Sequence, residues 1–132
     1  MTPKNLLYAK THEWVRVETD AGAKVATIGV TAFALEALTD VTYVELLPKV
    51  GRHLAAGEPF GEIESVKAVS DLYSPVAGDV IAVHDGLSEN LETLNADPYG
   101  EGWMIKVKLT DETSLASLLD QAAYEKQCAE EH

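Results

Sequence analysis

The chain has 132 residues and a mass of 14.3 kDa, which is enough for one compact domain with a single core. A net charge of −12 repels phosphate groups, so we expect neither nucleic acid nor an anionic membrane as a partner. No apolar run approaches the roughly 18 residues of a membrane-spanning helix, and the N-terminus has neither a secretory nor a transit-peptide pattern. We therefore expect one cytoplasmic domain, residues 1–132, that works as a monomer.

The first third of the chain predicts a β-hairpin followed by a short helix. The segment Glu13–Glu18 alternates apolar and polar side chains, and Lys24–Val30 follows after the turn sequence 20–23. Thr31 is an N-cap candidate for Ala32–Leu38, a run of good helix formers.

The remaining two thirds predict closely spaced strands with two helices near the end. Ser88–Ala96, capped by Ser88, and Glu112–Glu130, capped by Asp111, are helical by propensity. Close spacing with Gly and Pro turns favours an antiparallel sandwich or barrel over a βαβ sheet. The predicted strands are Val41–Leu47, Phe60–Val66, Val69–Tyr73, Val80–Val83 and Trp103–Leu109.

The sequence carries no recognisable catalytic or metal-binding signature. Its histidines and its single cysteine share no metal-ligand spacing, and one cysteine cannot form a disulfide within the chain. No phosphate loop, nucleophile elbow or dinucleotide fingerprint is present. With 22 carboxylates in the chain, a neighbouring pair is expected by chance. We therefore predict no catalytic residue and no metal ion. The four histidines are His12, His53, His84 and His132, and the single cysteine is Cys128.

Lys67 stands between two strand-like runs in the segment 61–78, which closes with Pro75 and Gly78. A lysine at a tight turn between strands could be reached by a modifying enzyme and could swing an attached arm. Most lysines are simply solvated, however, and no Asn-Gly or Asp-Gly pair marks a turn here. Composition and spacing alone therefore do not single out Lys67 as a functional residue.

The segment Glu64–Ala68, followed by Ser70–Tyr73, resembles the lipoylation hairpin of the glycine cleavage H-protein family. Four other motifs match that family in order and spacing, so the resemblance covers nearly the whole chain. The segment Ala32–Leu35 departs from it, because more polar residues are common there. The four other motifs are Thr11–Val15, Thr27–Thr31, 40–46 and Asp97–Trp103.

The resemblance implies a mainly β fold, the barrel-sandwich hybrid of lipoyl and biotinyl carriers. In that fold two small antiparallel sheets share one core, and short helices lie at the flank and at the C-terminus. Residues 1–132 would form a single lipoyl-carrier domain with Lys67 at a hairpin tip. Lipoate would be joined covalently to the Lys67 ε-amine as N6-lipoyllysine, which removes one positive charge and takes the net charge from −12 to −13.

The resemblance also implies a function as a non-catalytic carrier. The lipoyl arm would receive the aminomethyl group of glycine from a pyridoxal-phosphate glycine decarboxylase and deliver it to a tetrahydrofolate-dependent aminomethyltransferase. Dihydrolipoamide dehydrogenase would reoxidise the arm, and a lipoate-attaching enzyme would install it. The loaded arm is cationic, so docking it against hydroxyl and carboxylate acceptors would protect it from water. By resemblance, the docking residues are Thr11, Glu13 and Asp71.

Several alternatives remain open at this point. Biotinyl domains usually place methionines beside their lysine, and lipoyl domains of 2-oxo acid dehydrogenases usually have Asp before it, whereas Val66 and Ala68 stand here. An unmodified binding module or a donor of lipoate to other proteins is compatible with the sequence. The acidic charge could steer association with basic partners or could merely keep the chain in solution.

Overall fold

The computed structural model describes residues 6–38, 41–66 and 68–131, and these form nine strands, three α-helices and two 3₁₀ helices. The strands are β1 (Leu7–Tyr8), β2 (Glu13–Asp20), β3 (Ala23–Val30), β4 (Val41–Leu46), β5 (His53–Leu54), β6 (Pro59–Ser65), β7 (Val69–Tyr73), β8 (Ala77–Val83) and β9 (Ile105–Asp111). The helices are α1 (Ala32–Leu38), α2 (Leu91–Ala96) and α3 (Gln121–Glu130), and the 3₁₀ helices are Asp85–Glu89 and Thr113–Ser117.

The strands form two antiparallel sheets. A six-stranded sheet has the order β1-β2-β3-β9-β8-β5, and a three-stranded sheet has the order β4-β6-β7. The predicted mainly β fold of two antiparallel sheets with short helices is therefore confirmed. None of the helices within the described residues is long and apolar enough to cross a membrane.

The two sheets share one core because alternate residues of their strands point inward. The six-stranded sheet contributes residues such as Ile28 and Val107, and the three-stranded sheet contributes Ile63 and Leu72, all at most 2% exposed. A second, smaller buried cluster joins β1 and β2 to α3. Its buried members are Leu6, Tyr8, Trp14 and Tyr124.

The predicted hairpin near the N-terminus is confirmed as β2 and β3. Their two-residue connection, Ala21 and Gly22, has positive φ at both positions, 52° and 82°. This is the conformation that matches the right-handed twist of the flanking strands in a tight hairpin. Further along the pair, Trp14 lies opposite Gly29, where a Cβ atom would be 2.7 Å from the indole ring.

The two predicted C-terminal helices were wrong in extent. The predicted segment Ser88–Ala96 divides at Asn90, whose φ of −141° and ψ of 64° are not helical, into the end of a 3₁₀ helix and α2. The predicted segment Glu112–Glu130 also divides, and α3 begins only after Asp120. The Asp120 carboxylate accepts a 2.8 Å hydrogen bond from the Ala123 amide, so Asp120 is the N-cap in place of Asp111.

The last predicted strand, Trp103–Leu109, was placed two residues early at its start, because β9 begins at Ile105. The Trp103 amide instead donates to the Gly100 carbonyl at 3.2 Å and closes the preceding loop. The short strands β1 and β5 were not predicted, because two residues carry no measurable alternation.

Candidate functional site

Strands β6 and β7 form an antiparallel hairpin whose connection contains position 67. The Ser65 amide donates a 2.8 Å hydrogen bond to the Ala68 carbonyl, which closes the hairpin. The neighbouring side chains of Val66 and Val69 are 69% and 60% exposed, unusually high for valine. Lys67, the predicted attachment residue, lies outside the described residues.

A cleft of about 190 Å³ lies between α1, β7 and the turn before β2. The floor of the cleft is apolar, and its rim carries hydroxyl, imidazole and carboxyl groups. This arrangement suits a ligand with an apolar body and a polar end. The apolar floor includes Val30, Phe33, Leu38, Ile63 and Leu72, and the polar rim includes Thr11, His12, Ser70, Asp71 and Glu131.

Thr11 and Glu13 are directly connected at this rim. The Thr11 hydroxyl donates to the Glu13 carboxylate, and the Tyr73 amide donates to the other carboxylate oxygen at 3.2 Å. Glu13 is 1% exposed and is not among the residues that line the cleft, so it lies behind Thr11. The structure therefore makes Glu13 a buried acceptor, whereas an exposed carboxylate would have been the ordinary expectation.

Burial raises the pKa of Glu13 from 4.5 to about 7, because the charged form loses its hydration. The hydrogen bonds from the Thr11 hydroxyl and the Tyr73 amide lower this pKa, but they do not offset the loss of water. A carboxyl group with a pKa near 7 gains or loses its proton at little cost under neutral conditions. Such groups concentrate at functional sites.

Asp71 also lines the cleft and is exposed. It belongs to β7, four residues after position 67, and the Tyr73 hydroxyl lies 3.5 Å from its Oδ2 atom. The structure thus brings two of the predicted docking residues, Thr11 and Asp71, to one cleft, with Glu13 immediately behind. Whether these residues hold an arm stays a prediction.

Three further cleft residues were not predicted as site residues. His12 and Phe33 meet at the cleft with ring centroids 5.0 Å apart, and Glu131 reaches the same place from the far end of the chain. The His12 Nε2 atom is 3.2 Å from a Glu131 carboxylate oxygen, across 119 residues of sequence. No local pattern signals a contact over that separation.

An acidic row crosses the outer face of the three-stranded sheet. Glu62 of β6 lies opposite Glu45 of β4 and opposite Asp71 of β7, and like charges directly opposite destabilise a sheet. None of the ion pairs formed within residues 6–38, 41–66 and 68–131 includes any of these three side chains. Glu45 also raises the pKa of the neighbouring Tyr43 hydroxyl, and Glu64 and Glu62 raise it further by smaller amounts. This face therefore has a strong negative potential.

No group of three or more His, Cys, Asp or Glu side chains in the described part of the chain is arranged to hold a metal ion. The single cysteine, Cys128, packs against the smaller buried cluster, and burial raises the pKa of its thiol.

Comparison with known proteins shows which family this chain resembles. The family model described as "Glycine cleavage H-protein" matches residues 6–131. The glycine cleavage system H protein of Rhodopirellula baltica is 57% identical over 128 residues, which cover 97% of this chain and 96% of that protein. The corresponding protein of Thermotoga maritima is 48% identical over 124 residues, covering 94% and 96%.

A solved structure agrees with these matches. The crystal structure of a glycine cleavage system H protein from Mycobacterium marinum superposes with a TM-score of 0.83 at 36% identity. The match covers 97% of this chain and 99% of the other. The chain therefore belongs to the glycine cleavage H-protein family.

Proposed function

We propose that this chain is a lipoylated carrier whose Lys67 bears the arm that moves the aminomethyl group of glycine between enzymes. The observation that carries the proposal is the β6–β7 hairpin, because its sequence has the family's lipoylation motif and both described neighbours of position 67 are exposed. The donor would be a pyridoxal-phosphate glycine decarboxylase and the acceptor a tetrahydrofolate-dependent aminomethyltransferase. Dihydrolipoamide dehydrogenase and a lipoate-attaching enzyme complete the set of partners.

The cleft residues fit an attached lipoyl arm. An attached lipoyl arm would supply a disulfide, one sulfur of which would take the aminomethyl group while the other would become a thiol. The apolar floor around Phe33 and Leu38 suits the aliphatic part of such an arm. Thr11 and Asp71 at the rim supply hydroxyl and carboxylate acceptors for a cationic end. Thr11, Glu13 and Asp71 are accordingly the proposed docking residues.

Glu13 would contribute through its proton. Its pKa of about 7 means that it is partly protonated at neutral pH, when no cation is near. A cationic group at the rim favours the ionised carboxylate, so Glu13 would release its proton as the cargo docks. The ionised Glu13 carboxylate would polarise the Thr11 hydroxyl that donates to it, so that the Thr11 oxygen would be a stronger acceptor for a cation at the rim. The residues would thus hold the cargo more strongly than an uncharged rim and exclude water from it.

In this role the chain itself performs no catalysis. It would position the arm and present surfaces to its partners as a single domain over residues 1–132, and tethering would raise the effective concentration of the cargo at each partner. The acidic row suits partner surfaces rich in Lys and Arg. A monomeric state and a cytoplasmic location stay predictions.

Intact mass with peptide mapping of protein from a lipoylating host tests the attachment. We expect one lipoyl adduct, confined to the peptide that contains Lys67. Lys67→Arg should lose the adduct, and the matched control Lys49→Arg should keep it, since Lys49 lies away from the motif. An unmodified Lys67 in such a host would favour a binding module that works without lipoate, and an adduct on another lysine would move the attachment site.

A reconstituted system tests the transfer. Aminomethyl groups from labelled glycine should appear on tetrahydrofolate only when the lipoylated chain, the decarboxylase and the aminomethyltransferase are all present. Turnover of glycine by this chain alone would contradict the carrier role. Transfer of lipoate to other proteins, without any transfer of the aminomethyl group, would favour the lipoate-donor alternative.

A further inference from the structure

His12 stands between the two proposed docking residues Thr11 and Glu13 and has an uncommon backbone conformation. Its φ is 76°, in the left-handed region that non-glycine residues seldom adopt. Such conformations persist only where the surrounding structure holds them, and they gather at functional sites. The contacts that hold the His12 side chain therefore also affect the positions of Thr11 and Glu13.

Those contacts come from the C-terminal end of the chain. The His12 Nδ1 atom lies 2.8 Å from the Tyr124 hydroxyl, and Nε2 lies 3.2 Å from the Glu131 carboxylate. The ring also lies against Phe33 of α1. Both ring nitrogens are thus engaged by α3 and the residue that follows it.

Tyr124 is a fixed anchor for this interaction. It is 1% exposed, and its ring stacks on Tyr8 with centroids 4.5 Å apart and an interplanar angle of 8°. Its hydroxyl is 2.6 Å from Thr31 Oγ1, and the Thr31 amide donates to the His12 carbonyl at 3.0 Å. Hydrogen bonds therefore run from the His12 ring through Tyr124 and Thr31 back to the His12 backbone. Burial raises the pKa of Tyr124, which keeps its hydroxyl neutral.

The helix α3 contributes few other buried contacts. Of its ten described residues, Tyr124 alone is buried. Besides its contact with His12, α3 holds the same turn through Gln127, whose Nε2 atom donates a 3.0 Å hydrogen bond to the Lys10 carbonyl. Glu131 just beyond the helix lines the cleft together with Thr11 and His12.

We propose that His12 is a positioning residue through which the C-terminal helix α3 holds Thr11 at the cleft and Glu13 behind it. The inference rests on the proposed function, since Thr11 and Glu13 are there taken as docking residues. It adds a role for α3 and the residue that follows it, because Tyr124 and Glu131 fix the imidazole. It also adds a role for the strained backbone at His12, which turns the chain from Thr11 into β2. Loss of either contact should loosen the rim without removing a docking residue.

Four variants test the contacts of the His12 ring without forbidding its backbone conformation. His12→Gly accepts the positive φ and removes the imidazole, and Tyr124→Phe keeps the stacking on Tyr8 and removes the hydroxyl. Glu131→Gln removes the carboxylate charge, and Glu130→Gln, one residue away and exposed, is its matched control. Folding of each variant is checked by its amide NMR spectrum.

The first readout is the rate at which the loaded, lipoylated carrier loses its aminomethyl group to water. We expect His12→Gly and Tyr124→Phe to lose it about fivefold faster than wild type, Glu131→Gln to lose it faster by a smaller factor, and Glu130→Gln to match wild type. Wild-type rates in the folded His12→Gly and Tyr124→Phe variants would overturn the proposal. If His12→Gly fails to fold, Tyr124→Phe and Glu131→Gln decide.

The second readout needs no lipoate and separates this inference from the proposed function. The pKa of Glu13, followed by carboxyl ¹³C NMR in the unmodified chain, is expected near 7 in wild type and in Glu130→Gln. It should fall towards 4.5 in His12→Gly and Tyr124→Phe, because a loosened rim lets water reach the carboxylate. An unmodified Lys67 would defeat the proposed function while leaving this readout intact. An unchanged Glu13 pKa in both variants would overturn the positioning role.

Discussion

Glu13 makes the stability of the fold depend on pH at the scale of one residue. Its pKa is about 7 in the folded chain and 4.5 at its ordinary value. Between these two pH values the folded state binds more protons than the unfolded state, so stability falls as the pH rises through this window. The full penalty, reached above pH 7, is roughly 3 kcal/mol, since one pKa unit corresponds to about 1.4 kcal/mol.

We predict that Glu13→Gln removes this component of the pH dependence. Urea unfolding at pH 4.5 and pH 8 should show wild type losing roughly 3 kcal/mol more than Glu13→Gln between the two conditions. Glu18→Gln, an exposed residue of the same strand, is the control and should follow wild type. Parallel pH profiles for wild type and Glu13→Gln would show that Glu13 has an ordinary pKa.

Gly29 shows a steric requirement at the same scale. A Cβ atom there would be 2.7 Å from three atoms of the Trp14 indole, and the indole nitrogen donates a 2.9 Å hydrogen bond to the buried Pro98 carbonyl. The ring cannot move away without weakening that bond. Gly29→Ala should therefore lower the free energy of unfolding by about 1–3 kcal/mol.

Gly86→Ala is the matched control for this substitution. No heavy atom lies within 4 Å of a Cβ atom built at Gly86, and its backbone is not in the left-handed region. Urea unfolding should leave Gly86→Ala within about 0.5 kcal/mol of wild type. Equal stabilities for the two variants would mean that Trp14 adapts to the added methyl group.

The candidate site could be predicted only in part from individual residues. The family motifs identified Thr11 and Asp71, which the structure brings to one cleft. The burial of Glu13 could not be predicted, because it arises in the folded chain, where the carboxylate accepts from the Tyr73 amide, 60 residues away in the sequence. The contact of His12 with Glu131 has the same long-range origin.

At the scale of elements, the longer strands and helix α1, whose bounds were predicted correctly as Ala32–Leu38, were easier to predict than the two C-terminal helices. Alternation in β2 and strand-like runs between turns in β3, β6 and β7 predicted these strands nearly at their observed bounds. The C-terminal helices divide at Asn90 and near Asp120, where neither Gly nor Pro marks an end. Asn90 and Asp120 are of the residue types that favour the N-cap, but they stand inside longer runs of good helix formers. The backbone near Asp120 also follows tertiary contacts, such as the antiparallel bridge between Tyr8 and Leu119.

The β2–β3 turn carries a prediction of its own. Ala21 has a positive φ of 52°, which is unfavourable for alanine and well tolerated by asparagine. Asn-Gly is the preferred pair for a two-residue turn of this kind. Ala21→Asn should raise the free energy of unfolding by about 0.5–1 kcal/mol. Ala21→Val, a β-branched residue at the same φ, should lower it, and the same order of stability for Val and Asn would contradict the turn assignment.

At the scale of the whole molecule, the packing of the two sheets could not be predicted from local patterns. Alternation identifies strands and their buried faces, but it does not say that β3 pairs with β9 or that α3 reaches β1. Those pairings join segments far apart in sequence, and their preference over other pairings depends on the packing of the complete core. The architecture was predicted through the family resemblance, and the structure and the comparison with Mycobacterium marinum agree with it.

The charge of the molecule and the acidic row lead to the last prediction. Reversing two of its carboxylates, Glu45→Lys with Glu62→Lys, leaves like charges opposite each other at positions 45 and 62 but replaces the repulsion between positions 62 and 71 by an attraction. It also removes the negative potential that would attract a basic partner. The double variant should fold at least as stably as wild type. Its apparent KM as carrier for the aminomethyltransferase should rise roughly tenfold at low salt, with little change in kcat.

Measurements at different ionic strengths distinguish long-range electrostatic attraction of a basic partner from direct contacts at this face. Wild-type association should weaken as salt rises, because screening lengths fall to about 8 Å near 0.15 M, and the double variant should depend on salt much less. The reversal Glu130→Lys on α3 changes the net charge by the same amount per residue at a place away from the hairpin, so it should shift KM only slightly. If the double variant keeps the wild-type KM and salt slope, the charge of −12 serves solubility, and partner recognition must depend on the exposed residues beside the hairpin tip instead.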